Sequence, residues 1–184
     1  MDAEARKAIS PELSGGERLV WAGMPKQGLR LRLSDLLLIP FSLLWGGFAI
    51  FWEFTVATSE APIFFLLWGV PFVLIGLYLI VGRFFVDSFQ RSRTYYGLSD
   101  RNAIIVKMAF SKRVQILPLR ALPQVALSER GDGSGTITLG PPLHVSATWS
   151  NSAWPGMVGP PMFEMVEAAR PVYNQIRDAQ RAAT

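Results

Sequence analysis

The sequence predicts an α+β membrane protein, in which an N-terminal two-helix transmembrane hairpin precedes a small antiparallel β-barrel capped by a C-terminal helix. Three observations predict this fold. Two long apolar blocks lie in the first half, short β-like segments follow Thr94, and helical periodicity returns at the end. The composition agrees, because 50% of the 184 residues are hydrophobic and 17% are charged, whereas ordinary soluble domains carry about 25% charged residues.

The two apolar blocks are long enough to cross a bilayer. Residues 35–57 and 61–83 are each predicted to form a transmembrane helix, because a span needs about 20 mostly apolar residues and neither block has a polar face. Residues 58–60 leave room only for a short external loop, so the helices form a tight hairpin. Ser42 and Gly46, four residues apart, are small enough to bring two helices close together.

Basic residues flank the hairpin on its outer ends, and the short loop has none. The positive-inside rule therefore places the N-terminal arm, residues 1–34, and the C-terminal domain, residues 84–184, in the cytoplasm. The expected location is the inner (cytoplasmic) membrane, as a multi-pass protein with both termini cytoplasmic. The flanking residues are Lys26, Arg30, Arg32, Arg83, Arg91 and Arg93.

Glu53 is the one ionisable residue within a predicted span. An intramembrane carboxylate is a candidate functional site, and a membrane enzyme acting through it is one hypothesis. The alternative is that Glu53 lies about one turn from the outer surface and reaches water. The sequence favours the second interpretation because the depth is small.

Short segments after Thr94 have the residue types of antiparallel strands. Gly131–Gly135 is a hairpin turn by composition, residues 151–161 form a loop, and the chain then becomes helical, with Phe163, Val166, Ala169, Tyr173 and Ile176 at helical spacing. Pro171 is expected to begin a final helix that ends near Ala183. The predicted strands are residues 94–98, 103–109, 114–119, 124–129, 136–139 and 143–149.

Two segments resemble the bacterial pleckstrin-homology-like (PH-like) domain family of small membrane proteins. TYYGLSDRNAIIV, residues 94–106, resembles its YxLTxxRxII signature, with Ser99 where Thr is usual. Residues 13–25, LSGGERLVWAGMP, resemble its LxxxExxxWxGxP opening. In such proteins two spanning helices lie between these segments, as they do here.

The resemblance implies a fold of two bent antiparallel sheets with a C-terminal helix closing one end. It implies seven strands, whereas six are predicted after residue 93. Residues 19–24 or residues 29–33 are expected to supply the remaining edge strand, which would join the N-terminal arm to the barrel.

Three basic residues are candidate contacts for lipid or a partner. Arg101 lies in a predicted turn, where it is expected to support the local structure or to meet a lipid phosphate. Lys112 and Arg113 form a predicted hairpin tip, which is either solvated or in contact with headgroups. Tyr96 and Leu98 alternate onto one face, which predicts a role in the core.

The sequence contains no catalytic constellation. It has no cysteine and a single histidine, His144, so thiolate and multi-histidine metal sites are absent. Gly131–Gly135 lacks the Lys-Ser/Thr ending of a phosphate loop. No cofactor or metal is expected. The formal charge of +4 is concentrated after the second span, where it fits membrane topology better than nucleic-acid binding.

The expected function is therefore non-catalytic. The protein is expected to present a PH-like interaction module that binds a protein partner or anionic lipid headgroups beside the bilayer. The alternative is an accessory subunit of a membrane transporter or enzyme complex.

Overall fold

The computed structural model describes residues 2–28, 35–140 and 160–183. Their helices are α1 (Asp2–Ile9), α2 (Asp35–Thr58), α3 (Ile63–Leu77), α4 (Arg83–Ser92) and α5 (Ala169–Ala183). Their strands are β1 (Leu19–Gly23), β2 (Thr94–Ser99), β3 (Asn102–Lys107), β4 (Arg113–Pro118), β5 (Val125–Glu129), β6 (Gly135–Leu139) and β7 (Met162–Val166).

The described residues divide into two compact units. Residues 35–87 form a helical unit, and residues 2–28, 88–140 and 160–183 form a β unit. The second apolar helix is continuous from residue 63 to residue 92, through α3, a π-helical turn at Tyr78–Gly82 and α4. It thus continues beyond residue 83, where the predicted span ends.

In the helical unit, α2 and α3 pack together through small residues. Ser42, Gly46 and Ala49 are buried on α2, and Gly69 and Gly76 are buried on α3. A Cβ on Gly76 would lie 2.8 Å from the Cα of Gly46, so the two backbones are nearly in contact. The expectation that Ser42 and Gly46 bring the helices close is confirmed.

Many large side chains of these helices point away from the contact, although the rings of Trp45 and Phe72 meet across it with centroids 6.3 Å apart. Phe41, Phe48, Phe64 and Leu67 are all more than half exposed. Both apolar helices are long and apolar enough to cross a membrane.

The β unit contains two antiparallel sheets, ordered β1-β2-β3-β4 and β5-β6-β7. The expected closed barrel is therefore wrong, because within the described residues no strand ladder joins the two sheets. The physical reason lies after β4. Pro118 lacks the N–H that a continuing ladder would need, and a 3₁₀ turn at Leu119–Ala121 redirects the chain into the second sheet.

The predicted strands from residue 94 to residue 139 are confirmed with small shifts at their ends. The predicted edge strand in the N-terminal arm is also confirmed, because β1 pairs with β2, with Ala22 opposite Gly97 and Gly23 opposite Tyr96. The predicted strand at residues 143–149 and the alternative edge strand at residues 29–33 lie outside the described residues. So do His144, Arg30, Arg32 and all but the last two residues of the predicted loop at 151–161.

The central strands of the four-stranded sheet, β2 and β3, are buried on both faces. One face meets the second sheet and α5 in the main core, to which Tyr96 and Leu98 belong, as expected. The other face is covered by α1, whose Ala5 and Ile9 pack with Ile104 in a second cluster. Helix α1 was not among the predicted elements. It makes β2 and β3 apolar on both sides, as strands covered on both faces are.

The prediction that Phe163 and Val166 belong to a helix is wrong. Both lie on β7, which pairs with β6 through an irregular register, and Met165 has a positive φ of 52°. This irregularity breaks the two-residue alternation, so Phe163, Met165 and Val166 are all buried. The burial pattern of β7 therefore imitates helical spacing. Helix α5 begins at Ala169, with Pro171 in its first turn.

Candidate functional site

The two segments that resemble the PH-like family meet at the end of β2. The Ser99 hydroxyl accepts hydrogen bonds from the backbone N–H groups of Arg101 (3.1 Å) and Asn102 (2.7 Å), and it donates to the Glu17 carboxylate. The Asn102 side-chain amide also donates to Glu17, at 2.7 Å. A hydroxyl at position 99 therefore ties the β2–β3 turn to the N-terminal arm.

Glu17 is held ionised at this corner. Burial opposes its ionisation, but the hydrogen bonds from Ser99, the Ser14 backbone and Asn102 outweigh burial. Together they lower the pKa of Glu17 below its ordinary value. The sequence places Glu17 in the opening motif, and its partner in the other motif becomes visible only in the fold.

A second pair of contacts joins the same segments. The Asp100 N–H donates to the Arg18 carbonyl, and the Arg18 N–H donates to the Asp100 carboxylate, both at 3.0 Å. Arg101 contributes its backbone, since its carbonyl accepts from the Leu119 N–H at 2.9 Å. Its side chain is exposed. The corner is thus a structural joint, to which both Arg18 and Arg101 contribute backbone hydrogen bonds.

Two of the basic residues that flank the hairpin are used inside the β unit. Arg91 is 5% exposed, and its guanidinium donates to the carbonyls of Lys26 (3.0 Å) and Gly28. The Lys26 ammonium forms a 2.8 Å ion pair with Asp132. That hydrogen bond, with those from Ser134, holds the pKa of Asp132 far below its usual range. In the sequence these cations predict membrane topology. That Arg91 is buried and that Lys26 is paired become visible only in the structure.

An ion pair lies within the helical unit. Arg83 and Asp35 are 2.9 Å apart, and both side chains are largely buried. The guanidinium also lies over the Phe84 ring, 4.6 Å from its centroid. This pair links the start of α2 to the start of α4.

Glu53 faces α3. Its carboxylate lies against Gly69, where a side chain would collide with Oε2. Oε2 is buried and forms no hydrogen bond with the described residues. The carboxylate is therefore directed at the neighbouring helix, in a notch that the missing Cβ of Gly69 provides.

The β3–β4 hairpin carries the predicted contacts Lys112 and Arg113. Lys112 is the last loop residue and pairs with Glu12 of the N-terminal arm at 2.5 Å. Arg113 begins β4 opposite Lys107, and both side chains are exposed. The structure therefore separates two neighbouring cations, because the charge of Lys112 is paired and that of Arg113 faces outward.

Aromatic residues complete this surface. Phe110, at the hairpin tip, is 77% exposed and packs against Phe89 of α4, with ring centroids 5.9 Å apart. The Arg93 guanidinium lies 5.8 Å from the Phe89 ring centroid, and the Arg93 carbonyl accepts from the Met108 N–H. We call this surface the hairpin patch, which comprises Phe89, Arg93, Lys107, Met108, Phe110 and Arg113.

The glycine-rich segment is a hairpin turn, as predicted. It joins β5 to β6, with the Arg130 N–H donating to the Ser134 carbonyl at 2.8 Å and Gly133 at a φ of +78°. In the part of the chain that the structure describes, no three His, Cys, Asp or Glu side chains are grouped to hold a metal.

No family model, no curated protein and no solved structure matches this chain.

Proposed function

We propose that this chain is a non-catalytic integral membrane protein whose β unit acts as an interaction module at the cytoplasmic surface of the inner membrane. The observation that carries the proposal is the outward direction of the large apolar side chains on α2 and α3. A hairpin that exposes so much apolar surface is stable where lipid replaces water. Its two helices have the length and composition of spans.

The PH-like interpretation of the β unit has two supports. The two antiparallel sheets and the C-terminal helix agree with the architecture that the sequence motifs imply. The two motifs also share one hydrogen-bonded corner, at Glu17 and Ser99. Because the two segments form one hydrogen-bonded corner, each needs the other, although the hairpin separates them in the sequence.

A binding role agrees with the way the β unit uses its polar groups. Glu17, Asp132 and Glu129 are engaged with Ser99, Lys26 and Arg170, respectively. These carboxylates build the fold. A module tethered to the bilayer needs little intrinsic affinity, because tethering raises the local concentration of its ligand.

The test is to express the full chain and extract its membranes with alkaline carbonate. Retention in the membrane pellet is expected, whereas release into the supernatant would contradict the proposal. The retained protein is then purified in mild detergent and its mass measured. A mass equal to one or a few copies of this chain supports a self-contained module. A stoichiometric larger membrane protein would replace the proposal with the accessory-subunit alternative.

A further inference from the structure

The β unit exposes few large apolar side chains. In its described residues they are Val20, Phe89, Met108, Phe110 and Ile116. Three of these five belong to the hairpin patch. Single exposed apolar residues are ordinary, but a contiguous group bordered by polar residues marks an interaction surface.

The border of the hairpin patch is positively charged. Arg93, Lys107 and Arg113 are exposed, and none of them forms an ion pair with the described residues. The neighbouring Lys112 differs, because Glu12 neutralises it. Exposed aromatic rings within a ring of cations are the composition of surfaces that enter an anionic membrane interface.

The hairpin patch includes part of the second apolar helix, which is continuous from residue 63 to residue 92. Phe89 lies on α4, six residues after Arg83, which corresponds to about 9 Å along the helix axis. Each headgroup layer is about 5–8 Å thick, so a residue about 9 Å beyond the end of a span lies at the outer edge of that layer. Phe110 contacts Phe89, so the hairpin tip shares this position.

We propose that the hairpin patch docks on the anionic surface of the bilayer that holds the helical unit. Phe89, Met108 and Phe110 enter the headgroup region, and Arg93, Lys107 and Arg113 face lipid phosphates. The proposal rests on the proposed function, since it requires an inserted hairpin. It adds the surface that makes contact and the chemical class of its ligand.

Because the chain has no native cysteine, a single introduced cysteine can be labelled specifically. Ser111, at the exposed tip, is changed to cysteine in the full chain and labelled with an environment-sensitive fluorophore. The labelled protein is reconstituted into nanodiscs of phosphatidylcholine, with or without phosphatidylglycerol. Ser128→Cys, on an exposed position of β5, is the matched control.

The expected result is a blue shift and protection from an aqueous quencher at position 111 in nanodiscs that contain phosphatidylglycerol. The label at position 128 stays exposed in both lipid mixtures. Adding Phe110→Ser abolishes the protection at position 111. Adding Arg113→Gln lowers the ratio of docked to undocked protein about fivefold at low salt, whereas Lys112→Gln has a smaller effect because its charge is already paired.

The label at position 111 could stay exposed to water in every lipid mixture while the protein is retained after carbonate extraction. That result overturns this inference and leaves the proposed function intact. Release by carbonate overturns the proposed function itself. Protection at position 111 in native membranes, but not in lipid nanodiscs, also overturns the inference, since it assigns the hairpin patch to a protein partner.

Discussion

The helical unit and the β unit use apolar residues in opposite ways. On α2, Leu44 is 76% exposed and the buried positions are small, such as Gly46. On β2, Leu98 is fully buried and belongs to the main core. The β unit gains stability by removing large side chains from water. The helical unit keeps many of its large side chains outside and brings the backbones of α2 and α3 close together.

The proposed insertion of the helical unit in lipid accounts for this difference, because the two units then lie in different solvents. Between helices in lipid there is no hydrophobic driving force, so close backbone packing through small residues takes its place. Truncating a leucine is therefore expected to lower the stability of the β unit and to leave the stability of the helical unit nearly unchanged. Four pairs of substitutions test how each unit is stabilised.

The largest expected effect is in the β core. Leu98→Ala should lower the free energy of unfolding of the β unit by about 2–5 kcal/mol, because it leaves a cavity in a packed core. Leu44→Ala, on the exposed face of α2, should have little effect in bilayers. Hydrogen exchange of both proteins in nanodiscs measures the two units separately. Equal destabilisation by both substitutions would contradict the comparison.

The next largest loss of stability is expected at Arg91, the buried cation that binds backbone carbonyls of the N-terminal arm. Arg91→Gln should cost about 1.5–3 kcal/mol, because the carbonyls of Lys26 and Gly28 lose a charged donor. Arg120→Gln removes the same charge at an exposed position and serves as the control. Exchange should increase in residues 19–28 of the Arg91 variant alone. Similar exchange in both variants would show that net charge, and not the buried contacts, holds the arm.

A smaller effect is expected at the helix contact. Gly76→Val places its Cβ against the Gly46 backbone, and such overpacking costs about 1–3 kcal/mol. Gly47→Val is the matched control, since its Cβ would meet nothing within 4 Å. Thermal unfolding in mild detergent should separate the two variants. Equal midpoints would mean that α2 and α3 do not depend on this contact.

The smallest effect depends on pH. The folded-state pKa of Glu17 lies below its ordinary value, so its contribution is complete above that value and is lost as the pH falls through the lowered pKa. Glu17→Gln should therefore lose about 1 kcal/mol at pH 7 and less below pH 4. Thermal midpoints across this range measure the difference, with Glu60→Gln in the loop between α2 and α3 as control. A constant difference at every pH would contradict the assignment.

Much of the fold is predictable from local patterns. The two apolar helices, five strands between residues 94 and 139, the edge strand β1 and the final helix follow from hydropathy, residue type and turn composition. Helix α1 was missed because its buried face consists chiefly of Ala5 and Ile9, which is too small a stripe to detect. Closure of the sheets was mispredicted because it depends on contacts between distant strands, which turn composition does not report.

The site is less predictable, because neighbouring cations have different partners. Lys112 and Arg113 are equivalent in the sequence, yet Glu12 reaches one of them across a hundred residues. No periodic pattern in the sequence singles out Phe110. Its place in the hairpin patch follows from its contact with Phe89. The roles of Arg101, Arg113 and Glu53 as contacts stay predictions.

Cysteine labelling from one side of the membrane tests whether the hairpin crosses it. Ser59→Cys in the loop between the helices and Ser128→Cys in the β unit are each treated with a membrane-impermeant maleimide in intact spheroplasts. We expect that position 59 reacts at once and that position 128 reacts only after the membrane is permeabilised. Labelling of both positions from the outside, or of position 128 alone, would contradict this expectation.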